Sequence, residues 1–130
     1  MSSIVTEFGR GWIANRVVHG DEYPEQQYIA VGTGTTDPTE SDTELEQQVY
    51  SVSFENANAN IYTVDEAAGV YRADITISGG IEVDPGTEIS EFGILTEDED
   101  LVYRETRDPT TIGSGARISF ELEVEFINTQ

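Results

Sequence analysis

The clearest pattern in the chain is an alternation of apolar and polar residues near its C-terminal end. The apolar set is Ile118, Phe120, Leu122, Val124 and Phe126, and the polar set between them is Ser119, Glu121, Glu123 and Glu125. Because successive side chains of a strand point to opposite faces, this pattern predicts a strand with one face in the core and one in solvent. Residues 71–77 alternate in the same way. A sheet with one wet face is mainly antiparallel.

The N-terminal segment instead shows helical spacing. Ile4, Phe8 and Trp12 are four residues apart, and Ile13 and Val17 repeat that spacing. The spacing predicts a helix over residues 4–18 with one broad apolar face.

Shorter patterns fill the middle of the chain. The run YIAVG at residues 28–32 indicates a buried strand, and the glycines and threonines after it indicate a turn-rich loop. Ser41 followed by Glu44 has the form of a capping box, which predicts a second, short helix. A further strand is predicted at residues 49–54, and residues 56–60 (NANAN) are expected to be a polar break.

In the second half, the apolar stretches 89–95 and 101–105 flank the acidic sequence EDED at residues 97–100, a pattern typical of a hairpin. Residues 108–115 are expected to form an exposed loop. The elements together predict a single domain over residues 1–130. Its fold class is α+β but mainly β, an antiparallel sandwich-like sheet with an N-terminal helix and one further short helix, in which the N-terminal third is followed by roughly five strands.

The composition indicates the ionic strength at which the protein works. The chain carries 26 acidic and six basic residues, all six of them arginine, for a formal net charge of −20. Such charge repels itself in dilute salt, whereas molar salt shortens the Debye length to ~3 Å and screens it. The composition favours a protein of a salt-in halophile. It argues against nucleic-acid binding, which requires Lys and Arg to neutralise phosphates.

The sequence shows no pattern for targeting or for spanning a membrane. No apolar run is long enough to span a membrane, and the N-terminus lacks the pattern of a signal peptide. We therefore expect synthesis in the cytoplasm and no membrane partner.

Candidate chemistry is sparse. The chain has no Cys, which excludes thiolate metal sites and disulfides. The sequence GTGTT at residues 32–36 lacks the Lys of a Walker loop and the third Gly of a dinucleotide fingerprint, so we read it as a tight turn that needs positive φ at glycine. His19, the one histidine, has no nucleophile elbow to serve and is expected at a helix C-terminus. The acidic hairpin tip lacks EF-hand spacing. We expect no enzyme, no cofactor and no metal.

Four segments carry a resemblance. TEFGRGWIA at residues 6–14 matches T-x-x-G-R-x-x-I-A, and YIAVGTGTTDP at residues 28–38 matches Y-I-A-V-G-x-G-x-x-x-P. DTELEQQVY at residues 42–50 matches D-T-x-L-x-x-E-V-Y, with Gln48 in place of Glu, and residues 89–104 match I-x-E-x-G-l-f-d-x-d-g-x-L-x-x-R. In this order the segments resemble the tail-collar and tail-fibre N-terminal domains of tailed phages.

The resemblance implies a virion structural protein that docks at the tail baseplate or at the fibre attachment. With the lysine-free composition, it implies a tailed virus of a halophilic archaeon. The sequence ends at Gln130 without the shaft and receptor-binding tip of a fibre, so we expect the module alone. A capsid decoration or turret protein on the head is the alternative, and a soluble glycan-binding β-sandwich is a third.

The partners expected from this reading are other virion proteins of the baseplate, tail or capsid, and further copies of the chain in a homo-oligomer for which a trimer is favoured. Interface candidates lie in three places, namely the N-terminal helix, the Gly-Thr loop and the hairpin. They are Phe8, Trp12, Ile13, Gly32, Thr33, Gly34, Glu91, Gly93 and Arg104. Glu91 is either paired with an arginine across strands or subunits, or an exposed carboxylate.

Overall fold

A computed structural model describes residues 2–19, 26–65 and 69–125. Within these ranges the chain forms one helix and eight strands. In chain order they are β1 (Ser2–Val5), α1 (Glu7–His19), β2 (Gln26–Gly32), β3 (Gln48–Ser53), β4 (Ala59–Asp65), β5 (Val70–Ser78), β6 (Thr87–Thr96), β7 (Leu101–Ile112) and β8 (Arg117–Glu125).

The strands form two antiparallel sheets. The larger has the order β1-β7-β6-β2-β3, and the smaller has the order β4-β5-β8. The main core draws its apolar side chains from both sheets. The prediction of a mainly β, antiparallel, sandwich-like fold with an N-terminal helix is therefore confirmed.

The smaller sheet follows the alternation of its sequence. Ala73 on β5 is opposite Leu122 on β8, and Ile75 is opposite Phe120, with all four side chains buried. The acidic residues of β8 are exposed, as the pattern predicts. Phe126, the last residue of the predicted apolar face, lies outside the described residues.

The larger sheet is covered on both faces, which explains why β6 is buried from Ile89 to its end. One face packs into the main core. Against the other, Leu45 of the long loop between β2 and β3 packs with Ala30, Leu95 and Leu101 to form a second, smaller core. The loop thus acts as a lid on this sheet.

The N-terminal helix starts later than the spacing predicted. Ile4 lies in β1, opposite Arg104 of β7, and the helix begins at Glu7. Thr6 caps it, since its Oγ1 accepts a hydrogen bond from the amide of Gly9 (2.9 Å) and donates one to the carbonyl of Leu101 (2.6 Å). Residues 2–5 pair with β7 instead of joining the helix, and the local spacing of apolar residues carries no information about that pairing.

The predicted apolar face of this helix is only partly correct. Trp12 packs against the main core, but Val17 is 82% exposed. The buried helical residue is Gly9, whose missing side chain allows the helix to approach β7. His19 ends the helix, as expected. Among the described residues, no helix has the length and apolarity required to cross a membrane.

Three further predictions about loops are wrong. The short helix after Ser41 is absent, and residues 41–47 form turns and bends. The expected exposed loop at 108–115 is partly strand, because β7 continues to Ile112 and pairs there with Thr87. The polar break at residues 56–60 ends at Asn58, because β4 begins at Ala59. The described residues hold eight strands, whereas the prediction was one strand in the N-terminal third and roughly five after it.

The predicted hairpin is confirmed. β6 and β7 pair with each other and are joined by residues 97–100, whose side chains are all exposed. The amide of Thr96 donates to the carbonyl of Asp100 (3.0 Å) and closes the turn.

We expect Gly9→Ala to destabilise the fold, because a Cβ at this position would lie 2.3 Å from the carbonyl oxygen of Val102. The cost of such overpacking is ~1–3 kcal/mol. Gly11→Ala is the matched control: its Cβ meets nothing within 4 Å. It should stabilise the helix by up to ~1 kcal/mol. Chemical unfolding in molar salt measures both, and equal effects would contradict close docking of the helix.

Candidate functional site

The centre of the candidate site is the side chain of Glu91 on β6, which is fully buried. Its Oε2 accepts hydrogen bonds from the amides of Gly34 (2.8 Å) and Gln47 (2.7 Å). Its Oε1 accepts from the amide of Glu46 (2.9 Å) and from Nε of Arg104 (3.1 Å). A buried carboxylate is tolerated only when it is hydrogen-bonded and paired. Here each oxygen has two donors.

Arg104 on β7 completes the network. Its side chain is almost completely buried, and its Nη2 lies 3.1 Å from Oε1 of Glu91. Its Nη1 donates to Oδ2 of Asp42 (3.0 Å). The sequence left open whether Glu91 pairs with an arginine or is exposed, and the structure gives an arginine across adjacent strands of one chain. One cation therefore serves two carboxylates.

The lid loop between β2 and β3 is folded by its own carboxylates. Asp42 accepts hydrogen bonds from the amide (2.9 Å) and the hydroxyl (2.8 Å) of Thr39. Burial raises the pKa of Asp42, but the hydrogen bonds from Thr39 and Arg104 outweigh it and leave the pKa below its ordinary value. These bonds replace the helix that the capping-box pattern predicted.

Glu46 has a similar role at the other end of the lid. Its carboxylate accepts from the amides of Thr35 (2.9 Å) and Thr36 (3.1 Å) and from the hydroxyl of Thr36 (2.5 Å). The hydrogen bonds from Thr36 are the largest cause of the lowered pKa of Glu46. The two arms of the lid are thereby tied to each other above the buried Glu91.

Close approach explains the glycines of the site. A Cβ on Gly32 would lie 2.6 Å from Oε2 of Glu91, and one on Gly34 would lie 2.5 Å from it. A Cβ on Gly93 would lie 2.9 Å from both Leu45 and Leu101. Neither Gly32 nor Gly34 has a positive φ, so our expectation of a turn that needs it is wrong there. These positions require glycine because the Glu91 carboxylate and the lid loop occupy the space that a Cβ would need.

The structure brings together most of the predicted interface candidates. Gly32, Gly34, Glu91 and Arg104 meet in the buried network, and Gly93 lies beneath Leu45 at its edge. Thr33 borders the network: its amide donates to the carbonyl of Gln47 (3.0 Å), and its hydroxyl donates to the Gln47 side chain (2.8 Å). These residues make their contacts inside one chain.

The helical candidates lie apart from that network. Phe8 is partly exposed, while Trp12 and Ile13 are half-buried. Phe8 and Trp12 line a shallow apolar groove of about 190 Å³ along α1. A link to the lid exists through Glu40, whose carbonyl accepts from the amide of Glu7 (2.7 Å) and whose carboxylate pairs with Arg10 (2.9 Å).

A second polar cluster lies at the opposite edge of the sandwich, where a cavity of about 320 Å³ opens between the sheets. There Tyr103 donates to Glu105 (2.7 Å), which also pairs with Arg107. The guanidinium of Arg107 lies 4.9 Å from the centre of the Phe92 ring, a cation–π distance. Burial raises the pKa of Tyr103. Glu105 thus joins Tyr103 and Arg107 in this cluster.

Sequence reasoning missed Asp42, Glu46 and Gln47 as members of the site. All three stand in the third resembling segment, which was the available signal, but the capping-box pattern assigned that segment to a helix. Among the described residues, no three acidic or histidine side chains are close enough to hold a metal ion. In the Glu91 network every carboxylate oxygen already has donors, so the arrangement is suited to holding backbone segments together.

Comparisons with protein-family models, with curated proteins and with solved structures gave no match to this chain. The resemblance of its four segments therefore stays a prediction from the residues themselves.

We expect Glu91→Gln to destabilise the protein by ~3–5 kcal/mol. The amide nitrogen of Gln cannot accept the two hydrogen bonds that one Glu91 oxygen now accepts, and Arg104 loses the negative charge of its buried partner. Glu125→Gln, the same change on the exposed face of β8, should cost no more than ~0.5 kcal/mol. Unfolding free energies in molar salt test the pair. Similar values for the two variants would contradict a structural role for the buried carboxylate.

Proposed function

We propose that this chain is a virion structural protein of a tailed virus of a halophilic archaeon. It acts by protein–protein contact, as a homo-oligomeric subunit of the tail baseplate or fibre attachment. The observation that carries the proposal is that the four segments of the resemblance contact one another in the fold. A chance resemblance of four separate short segments would not require them to meet.

Each of the first three segments contacts the fourth. The first packs on the fourth, where Thr6 bonds the carbonyl of Leu101. The second reaches the fourth through the amide of Gly34 on Glu91. The third reaches it through Asp42 on Arg104. The matched positions are thus those that hold the fold together, which is what a shared structural module requires.

The same network supports a role without catalysis. Its charged groups are engaged with each other and with backbone amides, so they are used to fix the lid and the sheet. A module of this kind works through its surfaces, as virion subunits do in symmetric assemblies. The threefold order of that assembly is a prediction from the resemblance.

The distribution of charge supports the halophilic host. Glu121, Glu123 and Glu125 project from the exposed face of β8, and the hairpin tip is acidic throughout. Arg72 of β5 lies 3.9 Å from Glu121 and 3.8 Å from Glu123, and no lysine is present to offset the other carboxylates. Such a surface stays soluble in concentrated salt, where screening removes most of the repulsion between its carboxylates.

Electron microscopy of virus particles from a halophilic archaeal culture, labelled with gold-conjugated antibody against this protein, tests the proposed position. We expect the label at the tail end. Antibody first absorbed with the free protein is the control. Label on the head would favour the capsid-decoration alternative and contradict a tail position, and particles free of label would overturn the virion role.

Lowering the salt tests the halophilic setting. Reducing NaCl from about 1 M to about 0.1 M lengthens the Debye length from ~3 to ~10 Å. We expect the Tm to fall, because the carboxylates then repel one another over longer distances. A variant with Glu121, Glu123 and Glu125 all changed to Gln should show a shallower fall. A Tm that does not decrease in dilute salt would overturn this part of the proposal.

A further inference from the structure

The strand edges of the sandwich differ sharply in charge. In the part of the chain that the structure describes, β4 and β8 are the edges of the smaller sheet. β8 carries Glu121, Glu123 and Glu125, all exposed, and charge on an edge strand discourages a further strand from pairing with it. β4 has no charged residue before Asp65. Of the two edges, β4 therefore lacks this protection.

The uncharged surface extends beyond β4. β3 is the neighbouring edge of the larger sheet, and the turn of residues 54–58 joins it to β4, so both edges lie on one side of the sandwich. From residue 47 to residue 64, Glu55 is the single charged residue, although a quarter of the whole chain is charged. Val49, Tyr62 and Val64 are large apolar or aromatic residues exposed on these two strands. We call this surface the β3–β4 side.

The hydrogen-bond phase of β4 leaves backbone groups directed outward. The amide of Thr76 on β5 donates to the carbonyl of Asn58 (2.8 Å). Because bonded and non-bonded pairs alternate in an antiparallel ladder, the backbone groups of Ile61 and Thr63 point away from β5. The amide of Ile61 is covered by the side-chain oxygen of Asn60 (3.1 Å), a local contact that an added strand can replace.

We propose that β4 pairs antiparallel with β4 of a second copy of this chain, and that the β3–β4 side is the interface between the two copies. Two molecules that each carry a charge of −20 repel least where their facing surfaces have the fewest carboxylates, and here that is Glu55 alone between residues 47 and 64. An antiparallel pair of identical strands is also self-complementary, as a two-fold interface requires. The two smaller sheets then continue as one across the dimer.

The choice of a second copy follows from the charge of the surface. A basic partner would be drawn to the acidic faces and the hairpin tip, not to this side. An uncharged strand edge with Tyr62 and Val64 beside it favours an equally uncharged strand, and the copy of β4 provides one. This inference rests on the homo-oligomeric part of the proposed function, and it replaces the favoured trimer by a two-fold dimer.

Sedimentation in molar NaCl tests the interface. The wild-type protein should sediment with twice the 14.3 kDa mass of the chain. Thr63→Glu places two like charges at the paired edge and should weaken the dimer by on the order of tenfold or more, while the fold persists because Thr63 is exposed. Val17→Glu and Val18→Glu, both on α1, are the controls. They add the same charge to apolar residues that are 82% and 74% exposed away from the β3–β4 side, and they should leave the dimer intact.

Because the chain lacks Cys, single cysteines give a second, independent readout. Cysteines introduced one at a time at positions 61, 62 and 63 should yield a disulfide-linked dimer under mild oxidation for at least one position. A cysteine at Ser119 on β8 should not. A monomeric wild-type protein, a trimer, or a dimer that Val17→Glu disrupts and Thr63→Glu does not would overturn the proposal. None of these results bears on the antibody labelling, so the virion role and the interface fail separately.

Discussion

The buried carboxylate of Glu91 is the interaction on which one whole side of this fold depends. A charge removed from water costs several kcal/mol unless donors surround it, and here three backbone amides and Arg104 supply them. The amides come from both arms of the long loop, Gly34 before it turns and Glu46 and Gln47 after it. One side chain therefore closes the loop on the sheet, and the loop in turn keeps water from the side chain.

Several features that look unrelated in the sequence follow from this closure. The glycines at 32 and 34 leave room for the Glu91 oxygens. The closed loop also places Leu45 against Leu95 and Leu101, where it forms the second core. Glu40 of the same loop bonds the start of α1. The lid is thus the part that links the helix to the larger sheet, and the resembling segments are the parts that build it.

The charges of the chain fall into two groups with different physical tasks. A few are buried, paired and fixed, as in the Glu91 network and the cluster of Glu105 with Arg107. Others project into solvent, most densely from β8 and the hairpin tip, where they make a soluble coat for concentrated salt. The β3–β4 side belongs to neither group. In a protein that we propose to act by contact alone, the surface with the least charge is the one where copies can approach.

The sequence alone determined those features that depend on local periodicity. Alternation identified β5 and β8 with their buried faces, the EDED tip identified the β6–β7 hairpin, and the fold class followed from these strands. Tertiary pairing decided the rest. β1 became a strand because β7 offered an edge, and residues 41–47 stayed non-helical because Asp42 bonds Thr39 and Arg104 instead of a helix. The sequence could suggest that Glu91 meets an arginine, but only the folded lid, by excluding water, decided that the pair is buried within one chain.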